Sequence, residues 1–332
     1  MRVAGTTPYY GANGIQDYVD GYTHDGEFIL VAEDGANDLK NYPVKCVKGR
    51  IWVNNHAHVL QGKYDCADNQ FLAYAISQAD IESLLVGGGR AKLNAETLMG
   101  IDLLLPNKAE QIRIGKYLAQ LDNLITLHQR KYEKLTNVKK SMLEKMFPQN
   151  GSNAPEIRFK GFTEAWEQRK LGDLGTITTG STPSTAIPDY YSDDGIVWVT
   201  PTDICENITF ESARKLSDLG QQVGRVVPKN TILVTCIASI GKNTMLGNTG
   251  SFNQQINGLT PNENECDPYF LLTESALWSA KMKSSAAAGT MQIVNRTEFS
   301  ELKTWLPSLI EQKAISDFFR QLDHLITLHQ CE

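Results

Sequence analysis

The chain has 332 residues, of which 41% are hydrophobic and 21% are charged, and its net charge is −6. This length suffices for two domains, each with its own core, whereas the acidic balance argues against a general polyanion binder, which usually carries a basic excess. No run approaches the roughly eighteen apolar residues that span a bilayer, and the N-terminus lacks the apolar stretch of a secretory signal, so we expect a cytoplasmic protein.

The first block of the chain contains short apolar runs between turn residues. Residues 28–31 and 51–53 are rich in β-branched and aromatic side chains, and this pattern predicts strands. Polar residues 54–58 follow the second run directly. Glu33 and Asp34 precede Gly35, and we interpret them as turn acids rather than nuclease carboxylates.

A long helix is predicted over residues 107–147, which contain no proline and a single glycine, Gly115. At 1.5 Å per residue it would extend about 60 Å. Its apolar or near-apolar side chains recur at alternating spacings of three and four, interrupted only by Lys139, and this spacing is typical of a coiled-coil seam. The seam positions are Leu118, Leu121, Ile125, His128, Tyr132, Leu135, Met142 and Met146.

A loop and a second block follow this helix. Residues 149–155 form a loop by composition. Farther on, β-branched runs at residues 176–179, 196–199 and 231–235 predict strands, and residues 268–282 predict a helix. Strands mixed with short helices indicate the α+β class.

An internal repeat divides the chain. Residues 120–129 (QLDNLITLHQ) and 321–330 (QLDHLITLHQ) differ at one position in ten, at an offset of 201. Such a repeat indicates a duplicated module. The predicted parts are a first domain at residues 1–105, a spacer helix at 106–150, a second domain at 151–306 and a second helix at 307–332. The seam recurs in the second helix, at Phe319, Leu322, Ile326 and His329, so we expect the two helices to pack antiparallel, with approximate twofold symmetry.

Several motifs resemble the specificity subunit of type I restriction-modification enzymes. Residues 155–162 (PEIRFKGF) followed by 166–174 (WEQRKLGDL) are similar to the opening of a target recognition domain in that family. Residues 121–131 and 143–148 resemble its conserved spacer helix. Residues 9–15 (YYGANGI) with 28–35 (FILVAEDG) resemble a version of its first recognition domain. The resemblance covers nearly the whole chain.

The resemblance implies an α+β fold of two target recognition domains separated by long antiparallel coiled-coil helices. Such a subunit performs no catalysis. Each domain reads one half of an asymmetric bipartite site in double-stranded DNA, and the helices set the gap. The implied partners are methyltransferase and restriction subunits, which would hold S-adenosylmethionine, ATP and magnesium, so we expect no cofactor on this chain.

The chain departs from the family pattern at both ends. The first block lacks a counterpart of residues 166–183, and the second helix stops at Glu332, whereas the first continues to Pro148. We therefore expect a recognition subunit that is incomplete at both ends, with a second chain completing the first domain.

Candidate DNA-binding residues follow from the chemistry of base recognition. Amide and hydroxyl side chains on short loops suit base edges, and lysine and arginine suit guanine and phosphate. In the first block the candidates are Tyr10, Asn13, Asn54, Asn55, His56, His58, Arg90 and Lys92. In the second they are Thr178, Gly180, Ser181, Thr182, Thr202, Lys242, Gln254, Gln255, Asn257 and Gln292. Each has a structural alternative, because polar clusters also build turns.

Motifs for catalysis are missing from the sequence. It has no adenine-methyltransferase [DN]-P-P-[FYW] box, and the segment ending in Gly241 and Lys242 has Cys236 where a phosphate loop needs its first glycine. The six cysteines form no C-x-x-C pair and indicate reduced thiols rather than a metal site. Three alternatives stay open: a protein-interaction scaffold, a split recognition subunit without independent DNA binding, and a nucleic-acid enzyme with dispersed catalytic residues.

Overall fold

The computed structural model describes residues 3–87, 92–149, 151–237, 240–287 and 293–330, with side chains omitted at 285–287. The chain forms two compact units, Met1–His128 and Gln129–Glu332. Both combine sheets with helices, which confirms the α+β prediction. The four-part division with boundaries at residues 105, 150 and 306 stays a prediction.

Unit 1 is built on one five-stranded sheet. Its strands are β1 (Ala4–Gly11), β2 (Gly14–Val19), β3 (His24–Ala32), β4 (Val44–Val53) and β5 (Ala57–Leu60), in the order β2-β1-β4-β3-β5. Its helices are α1 (Asn69–Ser77), a 3₁₀ turn (Glu82–Leu84), α2 (Ala95–Met99) and the first part of α3 (Lys108–Lys145). Side chains on both faces of β3 are buried: Ile29 belongs to a cluster that includes the α1 residue Ile76, and Leu30 belongs to a second cluster that includes Ile51 of β4. This explains why residues 28–31 form a continuous apolar run.

Unit 2 contains three sheets. Its strands are β6 (Glu167–Lys170), β7 (Gly175–Thr179), β8 (Tyr191–Val199), β9 (Ile208–Thr209), β10 (Lys215–Leu216), β11 (Ile232–Thr235), β12 (Asn243–Leu246), β13 (Gly250–Phe252), β14 (Ile256–Pro261) and β15 (Lys303–Leu306). The strand orders are β7-β14-β11-β12-β9, β10-β8-β13 and β15-β6. Its helices are the end of α3, α4 (Asp218–Val223), α5 (Pro268–Ala287), α6 (Arg296–Glu301) and α7 (Leu309–His329), with 3₁₀ turns at Leu171–Asp173 and Pro188–Tyr190. The predicted strands at 176–179 and 196–199 lie within β7 and β8, the one at 231–235 starts one residue before β11, and the predicted helix lies within α5.

A buried glutamine in the first turn of each long helix attaches that helix to its unit. The side-chain nitrogen of Gln111 donates to the carbonyl oxygens of Cys66 and Pro106, and its side-chain oxygen accepts the backbone N–H of Asp68. Gln312 makes the same three bonds, with Glu265, Pro307 and Asp267. The two aspartates also cap α1 and α5. The internal repeat therefore extends from sequence to hydrogen bonding.

Within unit 2, the end of α3 and α7 run in opposite directions. The rings of Phe147 and Phe319 lie 6.0 Å apart, and Lys139 Nζ lies 2.5 Å from Asp323 Oδ1. The contact at the lower residue number in the α3 segment, Lys139, is made with the higher residue number in α7, Asp323, so the two segments are antiparallel. Lys139, which interrupts the apolar seam, has a carboxylate partner there.

The predicted seam is not buried along all of α3. In unit 1, Leu121 is 37% exposed and Ile125 is 48% exposed, whereas in α7 Phe319 is fully buried and Leu322 is 6% exposed. An apolar stripe is buried only where another segment covers it, and the structure provides that cover for α7.

Candidate nucleic-acid interface

Four loops of unit 2 converge where six strands begin or end. They are residues 180–182, 200–203, 241–242 and 253–255, and we call them the second polar edge. Strand pairing brings them together, because Thr179 lies opposite Asn257, Thr235 opposite Ile256 and Val199 opposite Phe252. Residues that are distant in sequence thus meet on one surface.

Two glutamines of the second polar edge are held by their side-chain oxygens. Gln254 Oε1 accepts a hydrogen bond from Thr182 Oγ1, and Gln255 Oε1 accepts one from Asn253 Nδ2 at 3.0 Å. Neither amide nitrogen donates to any residue that the structure describes. Both side chains therefore present oriented N–H donors, which match the acceptors on purine and thymine edges in the major groove.

Two cations, Lys242 within this edge and Arg225 beside it, are held by carbonyl oxygens. Lys242 Nζ donates to Pro201 O at 3.0 Å, and Arg225 Nη1 donates to Thr179 O at 2.6 Å. Both side chains are exposed, and neither forms an ion pair with a described carboxylate. Their charge is therefore available to an anionic partner.

The backbone of this edge is tightly packed. Gly180 is buried, and a Cβ atom placed there would lie 2.1 Å from Asn253 O. Ser181 Oγ accepts the backbone N–H of Arg225 at 3.0 Å, and Ser181 O accepts the indole N–H of Trp198 at 3.0 Å. Gly180 and Ser181 thus shape the loop, which leaves Thr182 as its exposed side chain.

The loop after β8 carries a hydroxyl pair and an acid. Thr200 and Thr202 share a hydrogen bond of 2.8 Å between their hydroxyls. Asp203 Oδ2 accepts from the amide and hydroxyl of Thr200, while its Oδ1 accepts the amide of Ala213 at 2.8 Å. The acid therefore organises the loop, and Thr202 stays exposed.

Three predicted contact residues have their side chains in structural positions. Tyr10 is 7% exposed and packs with Leu30 and Ile51, and burial raises the pKa of its phenol. Asn257 is 2% exposed, and it joins Thr179 Oγ1 to the carbonyl of Val294. Such buried groups cannot reach a base, so Tyr10 and Asn257 are corrected to packing roles. Thr178 is half-buried within β7 rather than on the loop.

His58 in unit 1 makes a contact like that of Asn257 in unit 2, although the offset of 201 relates His58 to Leu259. Its Nε2 lies 2.8 Å from the carbonyl of Leu93, which the offset of 201 relates to Val294. The side chain thus fixes the segment before α2, as Asn257 fixes the segment before α6. His58 is half-buried, and its role in DNA binding stays a prediction.

The remaining polar residues of unit 1 form a smaller cluster, the first polar edge, comprising Asn13, residues 54–56 and Lys92 with the acids Glu33 and Asp34. Lys92 Nζ lies 2.7 Å from Glu33 Oε1, which raises the pKa of the lysine, and His56 Nδ1 lies 2.5 Å from Asp34 Oδ1. Asn13 bridges Gly35 and Asn37. Unlike Lys242, the lysine of this edge has a carboxylate partner.

Asn54 is also engaged within the protein. Its side-chain oxygen accepts the backbone N–H of His56 at 2.9 Å, while Asn55 is exposed.

The predicted residues Arg90 and Gln292 lie outside the described residues. In the part of the chain that the structure describes, no group of His, Cys, Asp or Glu could hold a metal ion, and none of its helices contains an apolar stretch of the length that spans a bilayer.

Sequence reasoning missed Arg225. It lies 43 residues beyond Thr182 in a segment without a motif. Only its contacts with Thr179 and Ser181 place it at the second polar edge. An isolated arginine between Gly224 and Val226 carries no signal of its own.

The sequence of the chain is similar to those of specificity subunits of type I restriction enzymes. The chain is 31% identical over 254 residues to a type I restriction enzyme specificity subunit of Haemophilus influenzae, covering 60% of this chain and 66% of that protein. It is 29% identical over 173 residues to the MjaIX specificity subunit of Methanocaldococcus jannaschii, covering 48% of this chain and 38% of that protein. The chain thus spans less than two thirds of either relative.

The fold is also known. The crystal structure of a type I restriction-modification S subunit from M. genitalium aligns with a TM-score of 0.70 at 14% identity, covering 98% of this chain and 84% of that chain. The family model described as the type I restriction modification DNA specificity domain matches residues 2–137 and 163–332. With matches in both halves, the chain belongs to the type I restriction modification DNA specificity domain family.

Proposed function

We propose that this chain is the non-catalytic DNA-reading subunit of a type I restriction-modification complex. It reads an asymmetric, bipartite site in double-stranded DNA, with one half read by each unit, and it positions methyltransferase and restriction subunits on the DNA. S-adenosylmethionine, ATP and magnesium then belong to those partner subunits. Family membership supports this proposal. The second polar edge is the observation from which we assign DNA contacts to particular residues.

The second polar edge has the chemistry that base reading needs. Gln254 and Gln255 supply oriented amide donors, and Thr182 and Thr202 supply exposed hydroxyls. Lys242 and Arg225 supply charge for phosphate or guanine. Rigid backbone packing at Gly180 supports these groups, because a reader must be held in one geometry to discriminate bases.

Charge distinguishes the two polar edges. Lys242 and Arg225 are held by carbonyl oxygens, whereas Lys92 at the first edge is paired with Glu33, and a second carboxylate, Asp34, lies beside His56. A phosphate must compete with those carboxylates at the first edge. We therefore propose that unit 2 carries the stronger reading surface.

Replacing Gln255 by alanine tests the assignment of the readers. If its amide donates to a base edge, Gln255→Ala costs about 1–3 kcal/mol on the cognate site and relaxes preference at one base pair. Affinities for a series of single-base variants of the site, found by sequencing the methylated genome of a host that expresses this chain with its methyltransferase, provide the measurement. Gln222→Ala, at an exposed glutamine of α4, is the matched control. An unchanged specificity ratio in Gln255→Ala would place the reading surface elsewhere.

The scaffold alternative gives a different result in the same assay. A DNA reader loses affinity steeply as the salt concentration rises because its binding releases counterions, whereas a protein-only scaffold shows no DNA binding.

Incubation of the purified chain with DNA and a methyl donor should leave the DNA unmethylated and uncleaved. Methyl transfer by the chain alone would instead support an enzyme with dispersed catalytic residues.

A further inference from the structure

The side-chain amide of Gln255 is fixed in one orientation by Asn253. Asn253 Oδ1 accepts the backbone N–H of Gln255 at 3.1 Å, so the nitrogen of the same amide group, Nδ2, donates to Gln255 Oε1 at 3.0 Å. Asn253 is 8% exposed, and its backbone N–H donates to Val199 O at 3.0 Å, which holds it in place. Gln255 therefore turns its amide nitrogen, rather than its oxygen, away from Asn253.

A cation lies beside this amide. Gln255 precedes β14, and the strand order places β11 next to β14 and β12 next to β11. Thr235 of β11 lies opposite Ile256, and its backbone N–H donates to Lys242 O at 3.0 Å. Because neighbouring strands lie about 4.8 Å apart, the backbones of Gln255 and Lys242 are roughly 10 Å apart. A positive charge there favours a base edge that presents acceptors over one that presents an amino group.

The carboxylate of the second polar edge is used within the protein. Among the residues of this edge Asp203 is the single acid. Its Oδ2 accepts the amide and the hydroxyl of Thr200, and its Oδ1 accepts the amide of Ala213 at 2.8 Å. Asp203 is therefore engaged within its loop, and the edge presents the donors of Gln255 and Lys242.

The four bases match such a surface unequally. In the major groove guanine presents two acceptors, N7 and O6, and thymine presents one acceptor beside a methyl group. Adenine has an amino donor next to its acceptor, and cytosine has an amino donor. Glutamine commonly pairs with adenine through both its oxygen and its nitrogen, but the Oε1 of Gln255 is directed towards Asn253. The guanine edge is the one that matches.

We propose that Gln255 reads guanine, so that the half-site bound by unit 2 contains a G·C pair whose O6 accepts the amide N–H of Gln255. This inference rests on the proposed DNA-reading function and adds the base that the residue selects. Adenine or cytosine at the same position would bring an amino donor against that N–H. Both donors would then lose a partner, which costs more than a missing contact.

Base analogues test which group of the purine is read. The protein is the complex of the chain with its methyltransferase, and the DNA is a duplex with the site found from the methylated genome. At the base pair where Gln255→Ala relaxes preference, inosine keeps O6 and N7 but lacks the minor-groove amino group, so it should bind as guanine does. The base 2,6-diaminopurine keeps that amino group but replaces O6 by a second one, so it should weaken binding about tenfold or more, as adenine does.

A change of the side chain tests the same contact from the protein. Gln255→Glu replaces the donor by a carboxylate that accepts the amino group of cytosine, so preference at this base pair should change from guanine to cytosine. Gln222→Ala, at an exposed glutamine of α4, is the control and should keep the preference for guanine.

Two kinds of result would overturn the inference, and they differ in what they say of the proposed function. Sequence-specific binding in which Gln255→Ala relaxes a position that is not guanine, or in which 2,6-diaminopurine binds as well as guanine, would overturn the choice of base and leave DNA reading intact. Binding without any sequence preference would overturn both.

Discussion

At the scale of single residues, Glu274 of α5 shows how burial alters an ionisable group. The side chain is 3% exposed, and its Oε1 accepts the backbone N–H of Trp305 at 3.1 Å, while its Oε2 has no hydrogen-bond partner among the described residues. Burial raises the pKa of Glu274 to about 7 from 4.5. The folded chain therefore binds a proton that the unfolded chain releases between these values.

This difference predicts a pH dependence of stability. The contribution of Glu274 is fully present below about pH 4.5 and is lost as the pH rises through about 7. Glu274→Gln keeps the acceptor for Trp305 but cannot ionise, so it should stabilise the chain at pH 8 by about 3 kcal/mol and change little at pH 4.5. Denaturant titrations at both pH values measure this. Glu133→Gln, at an exposed residue, serves as control, and equal effects of Glu274→Gln at the two pH values would contradict the prediction.

At the scale of elements, matching seams in α3 and α7 differ in burial. Leu121 is 37% exposed and its repeat partner Leu322 is 6% exposed. Leu322→Asp should therefore destabilise the protein by about 3 kcal/mol or more, because the charge loses its water. Leu121→Asp should change the free energy of unfolding by about 0.5 kcal/mol. Denaturant titration of the two variants compares them directly, and equal losses would show that both seam positions are buried in solution.

At the scale of the whole molecule, the distribution of free cations should govern the salt dependence of DNA binding. Lys242→Ala and Arg225→Ala should each reduce the slope of log affinity against log salt by about one and weaken binding on all sequences alike. Lys92→Ala is the matched comparison, because Glu33 already neutralises that lysine. Affinities measured over a range of salt concentrations test this. A larger change from Lys92→Ala than from Lys242→Ala would place the main phosphate contacts on unit 1.

The sequence by itself determined the duplication, the α+β class, the long helix and the family. These depend on periodicity and on an identity of nine residues in ten between two segments 201 residues apart. Both can be found in the sequence without knowing which residues are in contact in the fold. The same offset of 201 relates Gln111 to Gln312, and the structure shows that these two residues make matching bonds.

Only the tertiary structure decided which polar residues are exposed at the second polar edge. Asn257 and Gln255 lie two positions apart, yet pairing with Thr179 buries the first, while the second lies on the loop. Arg225 joins the second polar edge through contacts with residues more than forty positions away in the sequence. The burial of a seam likewise depends on which segment covers it, as Leu121 and Leu322 show. Burial and loop convergence arise from long-range strand pairing, and a local pattern of residue types does not encode that pairing.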